Sequence, residues 1–65
     1  LVLIDNYSDI GSAKLITNKI RNLGLIFEEN ENQINVFAGP FEKNDINLKI
    51  DFLIRNGYTN AQSYP

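Results

Sequence analysis

Two weak copies of one pattern, 34 positions apart, fill most of this 65-residue chain. Val2 recurs as Val36, and Leu3 is replaced by Phe37. Tyr7 is replaced by Phe41, and Ile20-Arg21-Asn22 recurs as Ile54-Arg55-Asn56. Each match is weak alone. A strand, a turn aromatic, a helix stripe and a closing glycine recurring in register make a repeated supersecondary unit. A chain this short forms one domain, residues 1–65, and buries only about 60% of the surface its unfolded form exposes. The pattern must therefore place nearly every apolar residue usefully.

Leu1-Val2-Leu3-Ile4 reads as a buried strand that stops at Asp5-Asn6. Ser8 or Asp9 caps a following helix, because their oxygens accept from free N–H groups of the first turn. Ile10, Ala13, Ile16, Ile20 and Leu23 share one face of that helix, and Gly24 ends it. Leu25-Ile26-Phe27 is a second strand. The polar stretch EENENQ turns it into a third, Ile34 to Ala38. Asn44 or Asp45 caps a second helix with Ile46, Ile50, Leu53 and Ile54 inward, ended by Gly57. Thr59 to Tyr64 is an edge strand.

The order β-α-β-β-α-β specifies an α+β, ferredoxin-like or RNP-like fold. It is a four-stranded antiparallel sheet with both helices on one face. Strands one and three are central. Gly39-Pro40 breaks the third strand from its helix, since proline withdraws a ladder donor, and Phe41 folds back on the core.

Side-chain alternation puts Val2, Ile4, Phe27, Val36, Ala38, Ala61 and Ser63 toward the helices. It leaves Leu3, Asp5, Ile26, Glu28, Asn35, Phe37, Asn60, Gln62 and Tyr64 on the open face. There, Phe37 and Tyr64 can stack on a ligand while Asn35 and Gln62 hydrogen-bond it. Alternatively, Leu3 and Phe37 pair across strands for stability. On the first reading, Phe37→Ala weakens binding and leaves the fold nearly as stable. Asn6 and Ser8 sit where strand one enters its helix, as caps or further contacts. Glu28, Glu29 and Glu31 read as a solvated hairpin tip rather than a metal site. Leu15, Leu48 and Phe52 lie off the main stripes and read as a widening of the core, with a partner contact as the alternative.

The chain has no His and no Cys, and its formal charge is −2. No acid–base pair accompanies Asp5, so catalysis is not expected, and no cofactor or metal is implied. An acidic balance and scattered Lys and Arg speak against nucleic acid, and INVFAGPF lacks the basic start of an RRM strand. No apolar run is long enough to span a membrane, and no direct membrane insertion by this domain is expected. Opening in LVLI, the chain reads as a domain excised from a larger protein.

INVFAGPF in the third strand, the earlier copy of the unit, and the closing Gly24 and Gly57 resemble the SPOR (sporulation-related repeat) domain family. Val2, Ile4 and Tyr7 fit its first-strand pattern, and Ile34, Val36, Gly39, Pro40 and Phe41 its third. The family's Gln falls at Leu3 and its Gly at Asp5, and its polar third-strand positions fall at Asn35 and Phe37. The resemblance implies a noncatalytic bacterial module that binds peptidoglycan glycan strands stripped of stem peptides. Such a module targets its parent, a periplasmic or cell-envelope protein, to the division septum. It implies cell-division proteins as further partners, a monomer, and a site on the open sheet face and its rim: Leu3, Asn35, Phe37, Gln62 and Tyr64, with Asn6 and Ser8. The rival reading is a protein-interaction or dimerisation module using the same face.

Overall fold

The computed structural model describes residues 1–65 and is an α+β fold with the βαββαβ order. Strands β1 (Val2–Tyr7), β2 (Leu25–Asn30), β3 (Gln33–Ala38) and β4 (Gln62–Ser63) form an antiparallel sheet ordered β2-β3-β1-β4. Helices α1 (Ile10–Thr17) and α2 (Ile46–Arg55) follow β1 and β3. Val2, Ile4, Ile34, Val36 and Ala38 of the central strands meet Ala13, Ile20, Leu53, Tyr58 and Ala61 in one core. Tyr7 and Phe41, the paired turn aromatics of the two repeats, both pack against it.

Several elements depart from expectation, each for a local reason. The first strand does not stop at Asp5-Asn6 but continues to Tyr7. Its pairing with β3 shifts by one residue between Leu3 and Asp5. Ile4 is thus the extra residue of a bulge, which bends the strand and resets its alternation. The second repeat ends its strand at this point with Gly39-Pro40; the first, lacking both residues, bulges and carries on. The hairpin is tighter than EENENQ suggests. Its strands run to Asn30 and from Gln33, leaving Glu31-Asn32 as the turn, with Glu31 left-handed at φ 52°. The edge strand shrinks from Thr59–Tyr64 to the pair Gln62–Ser63.

The face of α1 is also rotated. Ala13, Thr17 and Ile20 are buried, whereas Ile10 and Ile16 are exposed. Thr17 is tolerated inside because its hydroxyl donates to the Ala13 carbonyl at 2.6 Å. After Thr17 the chain tightens into a 3-10 helix, Asn18–Leu23, with Ile20 outside helical dihedrals. Asp9, not Ser8, is the cap: its carboxylate accepts from the Ser12 amide at 2.8 Å and the Ser12 hydroxyl at 2.9 Å. Neither Asn44 nor Asp45 caps α2 through its side chain; a 3-10 turn, Lys43–Asp45, leads in instead. Leu53, Ile46 and Ile50 face the core as expected, but Ile54 is exposed. Leu15, Leu48 and Phe52 do not widen the core: they stand 79%, 68% and 44% exposed.

The two repeats abut backbone to backbone. Gly24 closes the first helical segment at φ 73°, and Gly39 ends β3 at φ 131°. The Gly39 N–H donates to the carbonyls of Leu23 and Gly24, each at 3.2 Å. A Cβ on Gly24 would lie 2.8 Å from the Gly39 carbonyl oxygen. Tyr58 enters from beyond α2 and its hydroxyl donates to the Ile16 carbonyl at 2.6 Å. Ile16 lies in the last turn of α1, where carbonyls run out of helical donors.

Gly24→Ala therefore combines left-handed strain with a backbone clash and is expected to cost about 2 kcal/mol or more. Gly57→Ala, with positive φ but open space around it, is expected to cost less. Urea unfolding of both variants makes the comparison. Asp9 supplies a pH test. The Ser12 amide, then the Ser12 hydroxyl, holds its carboxyl below the ordinary carboxylate range. A carboxyl lowered by folding stabilises above its unfolded value, and that contribution is lost as pH falls through the lowered folded one. Asp9→Asn keeps a capping acceptor without the charge, and should flatten that acid limb in thermal melts recorded against pH.

Candidate functional site

Strand register sets what lies on the face the helices leave uncovered. Gln62, Leu3, Phe37 and Ile26 align as one row across all four strands. Because of the bulge, Asn6 rather than Asp5 forms the next row, with Asn35 and Glu28. The Asn35 amide donates to the Glu28 carboxylate at 3.4 Å. Asp5, expected on the open face, instead shares the opposite position to Val36 with Ile4, at the margin of the sheet.

Phe37 is the second correction. It lies on the open side yet is only 3% exposed. Tyr64 tilts over it, with ring centroids 4.7 Å apart and planes at 54°, a favourable aromatic geometry. The Tyr64 N–H donates to the Leu1 carbonyl at 2.9 Å and holds the strap in place. The aromatic surface available on this side is therefore Tyr64, 46% exposed, with Ile26 beyond it. Phe37 is the support beneath.

Beside the row, a cleft of about 500 Å³ opens between bulged β1 and the segment before β4. Leu3, Asp5 and Asn6 form one wall, and Thr59, Asn60 and Gln62 the other. It exists because β4 pairs with β1 only at Val2 and Leu3, while β1 runs on. The Asp5 carboxylate spans it. One oxygen accepts from the Asn6 amide N–H at 2.8 Å, the other from the Asn60 side-chain amide at 3.2 Å. Of the expected site residues, Leu3, Asn6 and Gln62 meet in this cleft. Asn35, Phe37 and Tyr64 lie along the sheet beside it, and Ser8 stands apart, exposed past the end of β1. Thr59 and Asn60 are additions. Their signal was present in the amide- and hydroxyl-rich TNAQS, which reads equally well as a plain edge strand.

The cleft is equipped to hydrogen-bond. Three side-chain amides both donate and accept, and its one carboxylate already has an N–H on each oxygen. On the core side of Asp5, Tyr7 and Tyr58 line a second cleft of about 450 Å³ with Ile16 and Lys19. Burial, then the nearby Asp5 and Tyr58, pushes the Tyr7 phenol above its ordinary value, so it is a neutral donor there at ordinary pH. Glu28 and Glu29 lie exposed on β2 and Glu31 in the turn. No cluster of three or more acidic, His or Cys side chains has the geometry of a metal site. No protein-family model matches the chain, and no curated protein or solved structure matches it significantly.

The covered position of Phe37 reverses the expectation drawn from alternation alone. Phe37→Ala is now expected to cost about 3 kcal/mol, the range of a buried aromatic truncation. Tyr64→Ala, with its ring half in solvent, should cost roughly 1 kcal/mol, the range of an exposed aromatic pair. Chemical denaturation of the two variants side by side distinguishes a support from a strap.

Proposed function

We propose that this chain is a noncatalytic glycan-binding module for peptidoglycan strands stripped of stem peptides. The observation that carries the reading is the amide-lined cleft of Asn6, Asn60 and Gln62 beside the exposed Tyr64. Glycan hydroxyls donate and accept at once, and carboxamides answer both demands with a single side chain. An aromatic face next to them supports the apolar side of a sugar ring, and Leu3 gives one wall of the cleft an apolar patch. The SPOR-like pattern of the sequence supports the same ligand class. In this reading Leu3, Asn6, Asn60, Gln62 and Tyr64 bind, Asn35 borders the site, Phe37 holds Tyr64 up, and Ser8 has no part.

The parent is then a periplasmic or cell-envelope protein, and the module directs it to septal glycan as a monomer. The rival reading, a protein partner on the same sheet face, is supported by the exposed Ile26 beside Tyr64 and is separated by the same experiment.

Purified sacculi, untreated or digested with amidase, are incubated with the chain and pelleted. Retention on the digested batch alone is the expected result. Asn60→Ala with Gln62→Ala should lower retention about tenfold, the loss of one to two hydrogen bonds, while circular dichroism stays unchanged. A folded chain retained on neither batch overturns the proposal and leaves the protein-partner reading in front.

A further inference from the structure

The amide-lined cleft does not stand alone. Asp5 lines it and also lines the second cleft, of about 450 Å³. Asn56 to Tyr58 border the second cleft, and the stretch that follows them, Thr59 to Gln62, borders the first. No strand covers β1 on this side beyond Leu3, where its pairing with β4 ends. The two clefts therefore adjoin along one open edge. The 3.2 Å bond from the Asn60 amide to Asp5 bridges the boundary between them.

Their chemistry differs. The first cleft has amides, a threonine hydroxyl and the Asp5 carboxylate, and no cation. In the second, β1 supplies Tyr7, α1 and its 3-10 extension supply Ile16 and Lys19, and the turn after α2 supplies Tyr58. Lys19 is the only Lys or Arg lining either cleft. It follows Ile16 by three positions, which sets both on one side of the helical segment. No carboxylate lies within ion-pair distance of its ammonium, Asp5 included; the one ion pair of the fold is Arg55 with Asp51. The Asp5 oxygens accept instead from the Asn6 N–H and the Asn60 amide. The Tyr58 hydroxyl is committed to the Ile16 carbonyl. The Tyr7 hydroxyl, kept protonated by burial and then by Asp5, remains a donor. The first cleft thus holds one negative charge, whereas the second sets an ammonium against that same carboxylate.

An unpaired ammonium and a phenol donor beside an amide cleft suit an anionic substituent carried by a glycan. Stripping a stem peptide hydrolyses its amide to the lactyl group of the muramic acid residue and leaves a carboxylate there. An intact strand has an uncharged amide at the same place. Given the glycan reading of the amide cleft, we propose that the second cleft binds this lactyl carboxylate, through the Lys19 ammonium and the Tyr7 hydroxyl. The sugar chain then crosses the Asp5–Asn60 bridge, with its amide-bonding part in the first cleft. Asp5 sets the register, because a carboxylate placed in the first cleft meets its charge with no cation to offset it. Preference for stripped strands follows from the charge that stripping creates.

The test is calorimetric titration of the chain with three tetrasaccharides. One is a stripped peptidoglycan fragment with free lactyl carboxylates. The second is the same fragment with those carboxylates converted to primary amides. The third is chitotetraose, which has no lactyl group. The expected result is binding of the free acid about fivefold tighter than of the other two, the upper range of an exposed ion pair, with the difference shrinking as salt is raised. Lys19→Gln should abolish the difference and leave binding of the amide form and of chitotetraose unchanged. Tyr7→Phe, which keeps the ring against the core, should reduce it. Lys14→Gln, an exposed cation that lines neither cleft, should preserve it. Circular dichroism verifies the fold of each variant. Equal binding of the three glycans overturns the carboxylate assignment and leaves the glycan reading standing. So does a preference that Lys19→Gln does not change, or a Lys19→Gln variant that weakens all three alike. A folded chain that binds none of the three overturns the glycan reading and this assignment with it.

Discussion

The extra residue at Ile4 is the constraint on which both faces of this protein depend. A two-residue period cannot bury Val2, Ile4 and Tyr7 on one side without inserting one position. With the bulge, Ile4 fills the core centre and Tyr7 still returns to it. The same shift carries Asn6 to the open face and moves Asp5 to the margin. It also separates the far half of β1 from β4, whose pairing ends at Leu3. One inserted residue thus completes the core and opens the cleft.

The two glycines at the junction of the repeats govern how the halves fit. Gly24 and Gly39 meet with no side chain between them, and the Gly39 N–H is shared by two carbonyls of the facing turn. That contact stands next to Leu25 opposite Ala38, the first pair of the β2–β3 ladder. It explains why a strand ends in Gly-Pro-Phe. Glycine permits the approach, proline releases the ladder, and Phe41 turns back to the core, with the Lys49 ammonium 5.5 Å from its ring centroid. The first repeat lacks Gly-Pro, so its strand continues, and the symmetry of the pattern breaks where the candidate site lies.

Much of the fold was legible in the residues. Apolar spacing, Gly24, Gly57 and the polar hairpin suffice for the order of elements, the central position of β1 and β3, and the facing of Phe27 and Val36. The stripe of α1 is rotated from the one its isoleucines suggest, because Thr17, which is absent from that apolar pattern, closes its hydroxyl on its own helix and is buried. Leu15, Leu48 and Phe52 read as a widening of the core or a partner contact, and the fold leaves all three exposed. For the site, Leu3, Asn6 and Gln62 were found by alternation and position. Alternation also put Asn60 on the open face, but its amide bond to Asp5 joins positions 55 apart in sequence, which no local pattern encodes.

What the sequence determined by itself is the succession of strands and helices and the two faces of the sheet, because periodicity and turn chemistry are local properties. What only the tertiary structure decided is which of those positions meet solvent. Phe37 alternates outward and is nevertheless covered, since the strap from β4 lays Tyr64 over it. Asp5 alternates outward and is turned aside by a bulge. Exposure depends on long-range contacts, and those exist only once the chain has closed on itself.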